Sequence, residues 1–177
     1  MFQENEPITG VKTIPLKTHR DDRGSLTVLY NQLWGIPFDL AQLNLVQSES
    51  NSLRGVHVHS THSDYLCVLK GTMMLGLRDL RRNSTSFGQT TLYTLTTESP
   101  KVFIVPPGVG HGFYFPDETL YCYGLSHPWD ADEKLGCRWN APDLGIPWPT
   151  ENPLLSERDA NAGTVTHLLE QMKDTNI

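Results

Sequence analysis

Eight short runs rich in β-forming residues, each closed by a cluster of turn formers, recur along most of this 177-residue chain. They are 11–17, 25–30, 40–46, 65–71, 72–80, 90–96, 101–106 and 119–126. Between them stand clusters such as Asp21-Asp22-Arg23-Gly24, Ser48-Glu49-Ser50-Asn51-Ser52 and Pro106-Pro107-Gly108. Runs of this length, broken at this spacing by Gly, Pro, Asn and Asp, suit an all-β sandwich or barrel. Helical periodicity is absent before residue 150. It enters only in the tail, where 154–159 and 164–174 carry apolar residues at helical spacing, with Ser156 and Thr164 as N-caps. The expected architecture is a β-barrel with one or two short C-terminal helices against it. With no internal repeat and no long linker, residues 1–177 are expected to form a single domain, with its core over about 11–150 and the helical segment over about 154–174.

The three cysteines, Cys67, Cys122 and Cys137, are odd in number and lack metal-type spacing, so they read as buried thiols. A net charge of −6 gives no general attraction to nucleic acid or anionic lipid. A phosphate group would have to be held by a few placed arginines, which favours a small anionic ligand over a polymer. No stretch approaches the roughly 20 apolar residues of a membrane span, and the first residues do not read as a signal peptide. A cytoplasmic protein without membrane or nucleic-acid partners is expected.

The densest chemistry lies in Gly55-Val56-His57-Val58-His59-Ser60-Thr61-His62-Ser63-Asp64, followed later by Pro106-Pro107-Gly108-Val109-Gly110-His111. On a strand, residues two apart share a face, which puts His57 and His59 on one side. The pair of segments resembles the two signature motifs of cupins, and the fold so implied is a cupin-type jelly-roll barrel. Asp64 on the next strand and His111 after the Pro-Gly turn would complete three imidazoles and a carboxylate, a set suited to Zn, Mn, Fe or Ni. The same residues also suit the polar lining of a metal-free pocket, which is the favoured reading.

Over about 11–160 the chain is similar to the dTDP-4-dehydrorhamnose 3,5-epimerase family of cupins. The landmarks are Asp22-Arg23-Gly24, Leu53-Arg54-Gly55-Val56-His57, Leu77-Arg78-Asp79-Leu80-Arg81, Ile104-Val105-Pro106-Pro107-Gly108, His111-Gly112-Phe113, Gly136-Cys137-Arg138-Trp139-Asn140 and Leu144-Gly145-Ile146-Pro147-Trp148-Pro149. The resemblance implies a homodimeric isomerase that needs neither metal nor cofactor and takes a nucleotide-diphosphate sugar. His57 would be the base, Tyr123 the opposing acid and Asp159 the residue that orients His57. Arg54 and Arg158 would hold the diphosphate, and Arg23 would reach the pocket of the partner subunit. Gln42 and Asn44 would lie near the nucleotide, with Trp129 stacking on its base. His59, Asp64 and His111 would line the sugar site.

A ketone at C4 acidifies the C–H bonds at C3 and C5, because loss of either proton gives an enolate with its charge on the C4 oxygen. Inversion needs a base on one face and an acid on the other, and a carboxylate behind a histidine supports the base. The chain departs from the family pattern at Asp64, which stands where the family has a lysine near the C4 oxygen. It departs again at Val28, in place of a glutamate, and at Pro128-Trp129, in place of a Tyr-Tyr pair. The leading expectation is therefore an epimerase acting at C3, C5 or both of a nucleotide-linked 4-keto-6-deoxy sugar, in polysaccharide or deoxysugar biosynthesis. The alternatives are a metal-dependent cupin enzyme using His57, His59, Asp64 and His111, and a sugar-nucleotide-binding cupin without turnover.

Overall fold

A computed structural model describes residues 6–128 and 135–174. Eleven strands follow in chain order: β1 (Lys12–Pro15), β2 (Thr18–Asp21), β3 (Gly24–Thr27), β4 (Gln42–Ser48), β5 (Ser52–His57), β6 (Asp64–Lys70), β7 (Thr72–Asp79), β8 (Thr90–Thr96), β9 (Lys101–Val105), β10 (Val109–Phe115) and β11 (Thr119–Leu125). Two short helices close the tail, α1 (Glu157–Ala160) and α2 (Val165–Gln171). One sheet has the order β1-β9-β6-β11-β4 and a second the order β5-β10-β7-β8, while β2 and β3 form a separate hairpin. All the described pairings within these sheets are antiparallel. This is the cupin-type jelly roll that the sequence leads one to expect.

The eight runs are all strands, and β2, β5 and β10 are strands the run pattern does not show. Each lacks the alternation that marks a half-buried strand. Every residue of β10 is buried, because one face meets the main core and the other is covered by the segment carrying Ile146 and Trp148; β2 is almost wholly exposed. A 3-10 turn at Gln32–Trp34 is a further local departure from the expected strand and turn.

The main core fills the space between the sheets, with Leu66 and Val68 of β6 and Phe103 of β9 facing Leu75 and Leu77 of β7 and Phe115 of β10. Each such side chain contributes about 1.5–3 kcal/mol on burial. A second cluster joins β5 to the tail, with Val56 and Val58 packed among Cys137, Leu144, Val165 and Leu168. The tail also pairs along β5, where Leu53 N–H donates to Leu154 O (2.9 Å) and Leu154 N–H donates to Asn51 O (2.8 Å). Ser156 and Thr164 cap α1 and α2 as expected, each side chain accepting from a backbone N–H in the first turn. The carboxyl-terminal segment is thereby fixed against the strand that carries His57.

Candidate active site

A cavity of about 590 Å³ opens between the two sheets, within the size range of small-molecule sites. β5 supplies Arg54 and His57 to its wall, β10 supplies His111 and Phe113, β11 supplies Tyr121 and Tyr123, and the tail supplies Arg158 and Asp159. His57 is the last residue of β5 and lies opposite His111 in the β5–β10 register. Gly55 permits this close pairing: its φ is +111°, and a Cβ there would stand 2.8 Å from the carbonyl oxygen of His111. His59 lies two residues past the strand end, yet it too faces the cavity.

His57 Nε2 is 2.7 Å from Asp159 Oδ1, and the other carboxylate oxygen accepts from Gly55 N–H at 3.2 Å. Asp159 is buried, and burial alone would raise its pKa. The hydrogen bonds from His57, Gly55 N–H and Ser156 outweigh that and hold the carboxyl below its ordinary value. An ionised Asp159 fixes the imidazole and stabilises the imidazolium that forms when His57 accepts a proton. On the facing sheet, the Tyr123 hydroxyl stands 3.4 Å from His59 Nε2. Burial, then the neighbouring His62, His57 and Arg158, push the His59 imidazole down to about 3, so it is neutral at physiological pH. Burial likewise lowers His111 well below the ordinary histidine value, helped by His59 and His57. The cavity therefore has a carboxylate-backed histidine on one wall and a tyrosine linked to a neutral histidine on the other.

Two arginines stand at the cavity. Arg54 donates from Nε to Ser48 Oγ at 3.0 Å, which positions its guanidinium along the wall, and Arg158 is the second residue of α1. Asn44 donates to the Tyr123 carbonyl at 3.3 Å, and Gln42 donates to Asn44 Oδ1 at 2.9 Å. Those two residues stand nearer the start of β4 than the cavity residue Val46, joined to each other and to the Tyr123 backbone. Arg23 sits at the tip of the β2–β3 hairpin, exposed and paired to Asp21 at 2.6 Å, in a cleft separate from this cavity. Trp129 lies outside the described residues.

Asp64 lies among the histidines. It is 1% exposed and stands behind the wall rather than on it, with Oδ2 3.4 Å from His111 Nδ1 and Oδ1 3.7 Å from His62 Nε2. The four-residue metal set of the alternative reading, His57, His59, Asp64 and His111, is not favoured, because Asp159 engages His57. The donor groups that do converge are His59, His62 and Asp64. His62 is thus a site-cluster residue that the four-residue reading left out, although its place three after His59 was visible in the sequence. Tyr121 was missed as well, and its alternation with Tyr123 along β11 was the signal that both face inward.

The chain matches the family described as dTDP-4-dehydrorhamnose 3,5-epimerase over residues 5–167. It is similar to the dTDP-4-dehydrorhamnose 3-epimerase of Streptomyces niveus, with 33% identity over 164 residues, covering 88% of this chain and 79% of the relative. Among solved structures it superposes on the 4-keto-6-deoxy sugar epimerase of the Streptomyces spheroides novobiocin cluster with a TM-score of 0.87 and 29% identity, covering 97% of this chain and 91% of the other. It also matches the dTDP-4-dehydrorhamnose 3,5-epimerase of Bacillus anthracis, solved with TDP and PPi bound, with a TM-score of 0.85 and 29% identity over 93% of this chain and 99% of that one.

Proposed function

The chain belongs to the dTDP-4-dehydrorhamnose 3,5-epimerase family, and from that premise we propose that His57 is the base, Tyr123 the acid and Asp159 the orienting carboxylate of its reaction. The protein is an isomerase, an epimerase that acts beside the ketone of a nucleotide-linked 4-keto-6-deoxy sugar. The observation that carries the assignment of roles is the 2.7 Å contact between His57 Nε2 and Asp159 Oδ1 on one wall of a cavity whose facing sheet presents Tyr123.

A sugar ring lying between the sheets would meet the two groups on its opposite faces. His57 takes the proton from the carbon next to the C4 ketone, and the electron pair moves to the C4 oxygen as an enolate. Tyr123 returns a proton to the other face of that carbon, inverting it. His59 Nε2, 3.4 Å from the Tyr123 hydroxyl, positions it; Arg54 and Arg158 suit the nucleotide diphosphate, whose oxygens match the guanidinium fork. The nucleotide is a thymidine diphosphate on this reading, supported by the dTDP substrates named for the relatives. We place the protein as a homodimer in which Arg23, exposed on its hairpin, completes the neighbouring pocket.

Incubation in D₂O with a panel of dTDP-4-keto-6-deoxy sugars tests the reading. Deuterium is expected at C3, at C5 or at both, with inversion at the labelled centre. A protein that binds these sugars without exchanging either proton is a binding module instead.

A further inference from the structure

Arg54 of β5 and Tyr121 of β11 line the cavity from facing sheets, each a short step along its strand from His57 and Tyr123. Tyr121 and Tyr123 are two apart and share a face, about 7 Å from one another. The Tyr121 ring is 2% exposed and packs on Phe115, with centroids 5.3 Å apart, and on Phe113 at 6.0 Å. That packing fixes where its hydroxyl stands. Val46 is the register partner of Tyr121 on β4. Ser48, two residues on and on the same face as Val46, is therefore its diagonal neighbour, at a separation an aromatic side chain can span.

Ser48 Oγ also accepts from Arg54 Nε at 3.0 Å, so one buried hydroxyl lies between the arginine and the tyrosine. Because Nε is the atom used, the two terminal guanidinium nitrogens are not committed to Ser48. Burial pushes the Tyr121 hydroxyl up, and the nearby Arg54 guanidinium and Ser48 side chain only partly offset this. Tyr121 is thus a protonated donor at neutral pH. Phenylalanine would fill the same space against Phe113 and Phe115, so the hydroxyl is not needed for the packing.

We propose that Tyr121 is a further substrate-binding residue: its hydroxyl donates to the phosphate joined to the sugar while Arg54 takes the same group from the facing sheet, and Ser48 is the positioning residue that holds the two together. A hydroxyl donor beside a guanidinium suits a phosphate, whose oxygens accept several hydrogen bonds at once. The step of about 7 Å from Tyr123 to Tyr121 is comparable with the reach from C3 or C5 of a sugar to the oxygens of the phosphate on its C1. Gripping that phosphate holds the ring with its reacting carbons between His57 and Tyr123. The inference rests on the nucleotide-sugar reading given above.

Calorimetry with dTDP and dTMP tests it, because dTMP lacks the phosphate that would carry the sugar. Tyr121→Phe should weaken dTDP binding by about 10-fold or more and leave dTMP binding within a few fold, with the melting temperature little changed. Ser48→Ala should show the same selective loss. Its effect on dTDP should be smaller in the Tyr121→Phe background than in the wild type, as expected of residues that act through one contact. The inference is overturned if Tyr121→Phe binds dTDP as tightly as the wild type, or if dTDP and dTMP weaken equally, which is the mark of a purely structural residue. Independent, multiplying effects of the two substitutions overturn the role of Ser48. A wild-type protein that does not bind dTDP removes the nucleotide reading itself, whereas tight wild-type binding unaffected by Tyr121→Phe removes this inference alone.

Discussion

Asp159 meets His57 at 2.7 Å although 102 residues separate them in the chain, and the same carboxylate also accepts from the backbone N–H of Gly55. One side chain thereby fixes both the imidazole and the strand that delivers it. The contact depends on the tail being held along β5 by Leu154 and by the packing of α2.

Replacing Asp159 with Asn keeps the shape and removes the charge that stabilises the imidazolium. Turnover should fall by about 10²–10⁴-fold, with the melting temperature little changed. His57→Asn should abolish deuterium entry at every carbon. Rates of exchange and inversion, followed by NMR in D₂O, check both; a fully active His57→Asn protein would remove the base from the mechanism.

Tyr123→Phe removes the acid and leaves the base. Proton abstraction should persist, with deuterium entering under retained configuration, while inversion drops by about 100-fold or more. The ratio of exchange to inversion separates this outcome from a general loss of binding, which would lower both together.

Arg54 lies along the cavity wall and is positioned by Ser48. Arg54→Lys keeps the positive charge and loses the planar fork, so the KM for a nucleotide-linked sugar should rise by about 10-fold or more with a smaller change in kcat. Steady-state kinetics with the natural donor and with a nucleoside monophosphate analogue as inhibitor check this, since only the diphosphate ligand should feel the change.

β4 lies at one end of its sheet, and its outward residues Leu43 and Leu45 are 57% and 67% exposed. A dimer that covers this edge explains both features. Sedimentation at micromolar concentration should give two chains per particle, and Leu45→Glu should shift it toward monomer. On the proposed role of the hairpin arginine in the neighbouring pocket, Arg23→Ala should leave the particle dimeric and lower activity.

Asp79 is fully buried, and burial alone would raise its carboxyl. Hydrogen bonds from Arg81, Ser84 and Ser86 outweigh burial and hold it at about 2, below the ordinary 3.8. A carboxyl depressed in the folded state stabilises the protein above its unfolded pKa and loses that contribution as pH falls through the folded value. Acid titration of wild-type protein should therefore show stability declining between about pH 4 and pH 2 by no more than about 2 kcal/mol from this group. Asp79→Asn should flatten that limb while lowering stability at neutral pH.

The sequence by itself determined the all-β barrel, because turn residues punctuate apolar runs wherever a strand is half-buried, and it determined the tail helices, because Ser156 and Thr164 are local caps. It also marked His57, Tyr123 and Asp159 through their place in ordered motifs. Strands such as β10 escaped that reading because both faces are buried and the alternation vanishes. The family resemblance paired Asp159 with His57, and only the tertiary structure decided how that pair is brought together and where Asp64 lies. Strand spacing put His57 and His59 on one side, and two carboxylates, Asp64 and Asp159, were in reach on paper. Packing of the tail against β5 delivers Asp159 to His57, while the turn before β6 carries His62 inward and leaves Asp64 behind the wall with His59, His62 and His111. Local pattern fixes the face a side chain leaves from; the partner it meets depends on elements far away in the chain, and that is settled only when the sheets and the tail close on one another.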